Sequence, residues 1–358
     1  MANIFARSPY LIRVAEAGQN GSKVELFIKN TGSFTTLPQY TLSKLIPASN
    51  QVETLYDISP YIQEYIRFLV APPTLTNFAT NPTAQRCDVR VKRYKLLNAT
   101  YTLLDTTDYL GFDGYTYYES GYNFDLGNYA LDQKNKYYYN PTNDAGIVRV
   151  TTGASFTARY TNLSTAVVTS LSIPSSTYNI PRVLVGNQND GNKLEILNSV
   201  SAVQATWNFY PQEECKYVPV IIDFVNKYGA YQREFFFKAS NDTMSVENTE
   251  YNLLQSDSYN YNVIEGQRRM FNTNGKKSIK VNTGWVKENW SDILKQIMLS
   301  EKILIDSKPA KINTKSTELF KNINTKQINY NLDFEFAYDV INSIIWWKSQ
   351  FMFMLQMK

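Results

Sequence analysis

The clearest pattern in the chain is alternation. In Asp88-Val89-Arg90-Val91-Lys92-Arg93-Tyr94 the valines fall on one side of a period of two and the charges on the other, which predicts a strand with one dry and one wet face. Tyr10 to Val14, Lys23 to Lys29, Gln39 to Leu45 and Val52 to Tyr56 are predicted as strands on the same basis, with turns at residues 18–21 and 30–32. A second set runs through Ile147 to Val150, Phe156 to Tyr160, Ala166 to Leu171, Arg182 to Val185, Lys193 to Leu197 and Val203 to Phe209. Tyr217 to Tyr228 and Tyr231 to Lys238 are joined by Gly229-Ala230, which predicts a hairpin. Lys302 to Asp306, Ala310 to Asn313 and Ile328 to Phe336 complete the strands. Helical spacing is rare. Ser59-Pro60 predicts a short helical turn to Phe68, with Ser as cap and Pro as first helical residue. Val286, Trp290, Ile293, Leu294, Ile297 and Met298 form one apolar stripe and predict a helix over 286–300, capped at Asn282, Thr283 or Asn289.

These elements imply a mainly β protein. The expected architecture is two or three β-sandwich modules of immunoglobulin or fibronectin-III type, the last with one docked α-helix at about 286–300. The expected divisions are an N-terminal β-sandwich over 1–125, a middle β-rich domain over 126–212, and a C-terminal β-sandwich with helix and apolar tail over 213–358. The Cys…Trp…Cys spacing of antibody domains is absent. Residues 71–86 and 241–275 read as long polar loops, and loops of that length are often contact surfaces. The 27 tyrosines and 19 phenylalanines strengthen the β assignment.

Composition then narrows the chemistry. The 358 residues include no histidine. That excludes Ser/His/Asp and Cys/His nucleophile pairs, His-ligated zinc and the usual neutral-pH proton shuttle. Cys87 and Cys215 form no metal motif and fit either two buried thiols or one disulfide. Asp333 and Glu335 share a face of a predicted strand, but catalytic carboxyls usually flank a bond from different elements. Glu213-Glu214 reads as a solvated strand entrance. Asp105, Asp108 and Asp113 lack the ligand density of a calcium loop. No phosphate- or dinucleotide-binding fingerprint is present. The expectation is a non-enzyme without cofactor or metal. A net charge of +4, scattered along the chain, gives no specific nucleic-acid site.

Two stretches are candidate contact surfaces. Arg268, Arg269 and Phe271, near Lys276-Lys277, Tyr259 and Tyr261, have the composition of a stacking surface as well as that of ordinary surface charge. Trp346, Trp347, Phe351 and Phe353 make the tail too apolar to stay in water, yet it falls short of the ~20 apolar residues that span a bilayer. The opening residues carry no secretory-signal pattern. The Tyr clusters 115–122 and 137–139 suit sugar or protein contacts as well as cross-strand pairs.

Several stretches carry a resemblance. They are Asn3-Ile4-Phe5-Ala6-Arg7-Ser8-Pro9-Tyr10 with Asp57-Ile58-Ser59-Pro60-Tyr61-Ile62, then Asp223-Phe224-Val225-Asn226-Lys227-Tyr228-Gly229-Ala230, the Asn282 to Ser300 helix with Glu301-Lys302, and Asp333-Phe334-Glu335-Phe336-Ala337-Tyr338-Asp339. In these patches the chain resembles virion structural proteins of tailed bacteriophages infecting Bacteroidota, the crAss-like phages among them. The resemblance implies a particle component of the collar, tail or fibre region, assembled in the host cytoplasm, without enzymatic activity. Its partners would be copies of itself and other virion proteins. A fibre or adhesin that binds host glycan is the alternative reading, and a carboxylate glycosidase using Glu335 the third. If the tail carries inter-subunit contacts, truncation after Asn342 leaves a soluble monomer that no longer assembles. Rings formed by the truncated chain in negative-stain micrographs would remove the tail from the contact set.

Overall fold

The structure is a computed structural model and describes residues 2–47, 52–66, 78–80, 86–116, 134–140, 146–149, 155–173, 181–185, 190–214, 216–252, 264, 266–319 and 328–341. The fold is mainly β, as expected, with several sheets and two α-helices among the described residues. By compactness the chain divides into two units. One is Met1–Glu213 with Asp223–Glu234, and the other is Glu214–Ile222 with Phe235–Lys358.

In the first unit, β1 (Ala2–Phe5), β8 (Thr100–Phe112), β7 (Arg86–Leu97), β3 (Gly21–Lys29) and β4 (Tyr40–Leu45) make a five-stranded sheet in that order. β1 runs parallel to β8, and the other pairs are antiparallel. A two-stranded ribbon, β2 (Leu11–Val14) with β5 (Thr54–Asp57), and the one-turn helix α1 (Ser59–Gln63) supply the other side of the core. The alternation in the sequence decides which side chains meet there. Val24, Leu26, Ile28, Val89 and Val91 are buried with Ile12, Val14, Tyr56, Ile58 and Ile62. Ser22 lies under this ribbon and bonds the hydroxyls of Thr54 (2.5 Å) and Tyr56 (2.6 Å), so its buried oxygen is satisfied.

Ion pairs tie β7 to β8 on both faces, the Arg90 pair on the outward side and the Arg93 pair on the ribbon side, where Arg93 also donates to the Arg13 carbonyl of β2. Arg90 grips Asp108 through two hydrogen bonds of 2.8 and 2.9 Å, and Arg93 pairs with Asp105. Each arginine holds its partner carboxyl below the usual range. These two aspartates, weighed as ion ligands from sequence, are engaged in cross-strand pairs. Among the described residues no group of three or more Cys, Asp or Glu is placed to hold a metal. Ser59 does not cap α1. It is the first helical residue, and its hydroxyl donates to the Ser8 carbonyl (2.6 Å) and accepts from the Tyr10 N–H (2.7 Å).

The first unit also holds a five-stranded sheet ordered β12 (Val168–Ile173), β11 (Phe156–Asn162), β14 (Asn192–Leu197), β15 (Val203–Pro211), β9 (Lys136–Tyr139). A three-stranded sheet joins β10 (Gly146–Arg149), β13 (Pro181–Val185) and β6 (Phe78–Thr80). The expected loop 71–86 therefore contains strand β6 and the first residue of β7. The rest of it lies outside the described residues.

The predicted hairpin forms as β16 (Val220–Val225) and β17 (Tyr231–Phe236). Its tip belongs to the first unit and is built by one side chain. The Asn226 side-chain Oδ1 accepts from the N–H groups of Tyr228 (3.0 Å) and Ala230 (3.1 Å), while the Asn226 backbone N–H donates to the Ala230 carbonyl (2.8 Å). Gly229 has φ +79, and a Cβ there would lie 2.8 Å from the backbone of Asp113. The Tyr115 N–H closes the contact on the Lys227 carbonyl at 2.8 Å. Phe5, Phe112 and Ala230 pack together beneath, with Tyr228 against them. Behind the tip, buried Arg233 holds buried Asp223 through two bonds of 2.7 Å.

In the second unit one seven-stranded sheet is ordered β17, β16, β20 (Ile303–Ile305), β21 (Lys308–Ile312), β22 (Asn331–Asp339), β19 (Arg268–Asn282), β18 (Asn241–Asn252). β16 and β17 contribute residues to both units. The predicted helix is shorter than its apolar stripe. Glu288–Trp290 is a 3-10 turn and α2 covers Ser291–Met298, with Ile293, Leu294, Gln296 and Ile297 buried. Val286 stands outside it in a bridge to Ile328, and Trp290 stacks on Tyr330 at 5.9 Å. None of Asn282, Thr283 and Asn289 caps α2, which has no side-chain cap. Asn282 instead accepts from the Gly284 N–H at 2.7 Å, and Thr283 accepts from Tyr330 at 2.9 Å. The largest departure is at 241–275, expected as a loop. Its residues 241–252 are β18 and 268–275 open β19, while 253–263 and 265 lie outside the described residues.

The tip gives a stability test. Gly32 has φ +72 with open space around it, so Gly32→Ala should cost about 1 kcal/mol from backbone strain alone. Gly229→Ala adds a backbone collision to the same strain and should cost at least about 3 kcal/mol. Asn226→Ala, which loses two side-chain acceptor contacts, should cost about 2 kcal/mol. Urea denaturation of the three variants measures the difference, and equal costs for the two glycine variants would refute the close-packed tip.

Candidate interaction surface

Strands β18 and β19 pair antiparallel from Asn241↔Lys280 to Asn252↔Arg268. On its other side β19 pairs with β22 only from Lys276↔Asp339 to Asn282↔Asn331. Among the described residues the last backbone link there is the Val340 N–H to the Gly275 carbonyl at 2.7 Å, and the Ile341 N–H donates to the Asn274 side chain. Among the described residues, Arg268 to Thr273 therefore have a strand neighbour on one side alone. The distal part of the pair is a two-stranded arm running out from the sheet. Every residue of β18 is exposed, which means that both of its faces are wet.

The local sequence explains the arm. Ile279 and Val281 alternate with Lys280, so the proximal half of β19 has one core face. Beyond Gly275 the alternation ends. Glu247 pairs with Asn274 and Thr249 with Phe271, so β19 carries one extra residue there, and Asn272 takes φ +53. An Asn in this bulge accepts a left-handed backbone that branched residues resist. Gly275 is closely packed. A Cβ there would sit 2.5 Å from the Met244 methyl and 3.2 Å from Val340.

Both faces of the arm carry charge, and one of them holds an ion pair. Lys276 bonds Glu247 at 2.8 Å and sits opposite Asp339, while Asn274 donates to Asp339 at 3.1 Å. The Glu247 hydrogen bond raises the affinity of Lys276 for its proton. Alternation puts Met244, Val246 and Met270 on the other face, with Lys277 opposite Met244 and Glu250 opposite Met270; Met270 is 65 % exposed and Met244 53 %. Tyr251 meets Phe271 edge to face at 5.5 Å. Charge is also sorted by strand. β18 carries Asp242, Glu247 and Glu250 and no base, whereas β19 carries Arg268, Arg269, Lys276, Lys277 and Lys280 and no acid.

Of the residues expected to make contacts, Arg268, Arg269 and Phe271 come together on the distal half of β19. Trp346, Trp347, Phe351 and Phe353 lie outside the described residues, as do Tyr259, Tyr261 and Cys215. Cys87 is a buried free thiol whose pKa is pushed up to about 12, chiefly by burial. Asp333 and Glu335 stand on β22. Lys311, 2.7 Å away, is the main reason that Glu335 lies below the ordinary carboxylate range, an environment that favours the charged form. The residues of β18 were missed. Their signal was weak but present, in Thr243, Val246, Thr249 and Tyr251, all strand formers within a polar run. The chain matches no protein-family model and no curated protein. No helix among the described residues is long and apolar enough to cross a membrane.

Glu335 sets an acid-dependence test. A carboxylate with a depressed folded pKa stabilises above its unfolded pKa, and that contribution is lost as pH falls through the folded value. Glu335→Gln should therefore melt roughly 1–2 °C below the wild type at neutral pH, with the gap closing by about pH 3. A gap that widened on acidification in scanning calorimetry would contradict the Lys311 pairing.

Proposed function

We propose that the chain is a non-enzymatic structural component of a tailed-phage virion. It assembles with copies of itself and with other virion proteins into a ring or tube of the tail or neck apparatus. The observation that carries this reading is strand β18, twelve residues long and exposed throughout. At about 3.4 Å per residue it offers roughly 40 Å of open edge. Monomeric proteins shorten or cover such edges because they pair with other chains. Exposed Met244, Val246, Met270 and Phe271 beside that edge add apolar area of the kind that marks contact sites. The resemblance of Asp223 to Ala230 and of Asp333 to Asp339 to phage virion proteins supports the choice of particle.

A host-glycan adhesin is the second reading, favoured by one feature of β9. Exposed Tyr138 lies 6.1 Å from Tyr210, with the Lys136 amine over both rings at 5.4 and 4.8 Å. Aromatic rings beside a cation suit sugar stacking. The two readings separate in one experiment. Replacing residues 247–274 by Asn-Gly joins the paired Val246 and Gly275 through a two-residue turn and deletes the arm. The expected result is a variant that melts like the wild type but stays monomeric by mass photometry where the wild type forms rings or tubes. Assembly of the armless chain, together with selective binding on a glycan array that Tyr138→Ala abolishes, would overturn the first reading in favour of the second.

A further inference from the structure

We infer that the arm joins one copy of this chain to the next head to tail, the acidic edge of β18 pairing with the basic distal edge of β19 in the neighbouring copy. The inference deepens the assembly reading and rests on it. Among the described residues no strand continues β22 beside Arg268 to Thr273, so the distal arm has two edges without a strand neighbour there. The edges differ in sign. Glu247 and Glu250 lie along one, and Arg268 and Arg269 along the other. Glu250 and Arg268 are both exposed.

This sorting selects the symmetry. A two-fold contact sets an edge against its own copy. β18 has three acids and no base, so self-pairing gains no opposite charge at any register, and the same holds for the basic edge. Pairing one edge with the other gains it at every copy. The strand directions agree. β18 and β19 are antiparallel within the arm, so copies rotated about an axis along the arm bring β18 of one antiparallel to β19 of the next. Inside the arm Glu250 stands opposite Met270, one residue from Arg269 and two from Arg268. The same level between copies places unlike charges within reach of each other. Each new contact also supplies backbone partners to donors and acceptors that otherwise face water. A contact between unlike patches repeats, and it closes as a ring or runs on as a tube.

Two charge-reversal variants of the full chain test this, Glu247→Lys with Glu250→Lys and Arg268→Glu with Arg269→Glu. Circular dichroism and melting confirm folding of each. Either variant alone should associate at least about 100-fold more weakly than the wild type. An equimolar mixture should recover assemblies, because alternating copies restore unlike edges at every contact. The wild-type assembly should weaken as salt is raised, since the edge charges are exposed. Variants that each assemble as the wild type does would overturn the edge pairing while leaving self-assembly intact. So would a wild type that stops at a two-fold dimer, or two weakened variants that fail to rescue each other. A wild type monomeric at every concentration would overturn both this contact and the assembly reading.

Discussion

A two-stranded ribbon in water is marginally stable by itself, and the arm exists because β19 does not end where the sheet does. The proximal half of that strand lies between β18 and β22, with Ile279 and Val281 buried. The distal half continues the same hydrogen-bond ladder into solvent. The anchored half fixes register and direction, so the exposed half loses less entropy in forming than a free hairpin would. Gly275 marks the place where one regime passes into the other. It lies beneath Met244 and Val340, and its carbonyl accepts from the Val340 N–H just after β22.

The same economy of contacts appears at the tip of the β16–β17 hairpin. One asparagine side chain satisfies two turn donors, and a left-handed glycine lets the turn approach the Asp113 backbone. The paired Asp223 and Arg233 behind it are both buried, so removing one partner strands the other. Charge therefore plays three distinct parts in this molecule. It is internal and fully paired behind the tip, paired across strands on both faces of the β7–β8 ladder, and sorted by strand on the arm.

Much of the fold was legible. Strands such as Arg86–Leu97 showed themselves because one face is buried and the other wet, and a period of two is the direct result. The hairpin was legible from Gly229, whose backbone conformation few other residues accept. The helix was legible in kind but not in extent. Val286 sits at helical spacing yet is taken by a bridge to Ile328, a long-range contact that overrides local periodicity. Of the candidate site, Arg268, Arg269 and Phe271 were legible as a basic and aromatic cluster, whereas β18 was hidden because a strand wet on both faces has no apolar alternation to display.

By itself the sequence determined the class of fold, the absence of histidine chemistry and the β16–β17 turn. Each follows from local rules: alternation, composition and backbone conformation. The tertiary structure alone decided that Asn241 to Asn252 is a strand, that it lies at a sheet edge, and that acids and bases occupy opposite edges of one arm. Those facts depend on which strand lies beside which. Pairing across dozens of residues is chosen by the whole sheet and leaves little trace in any one segment.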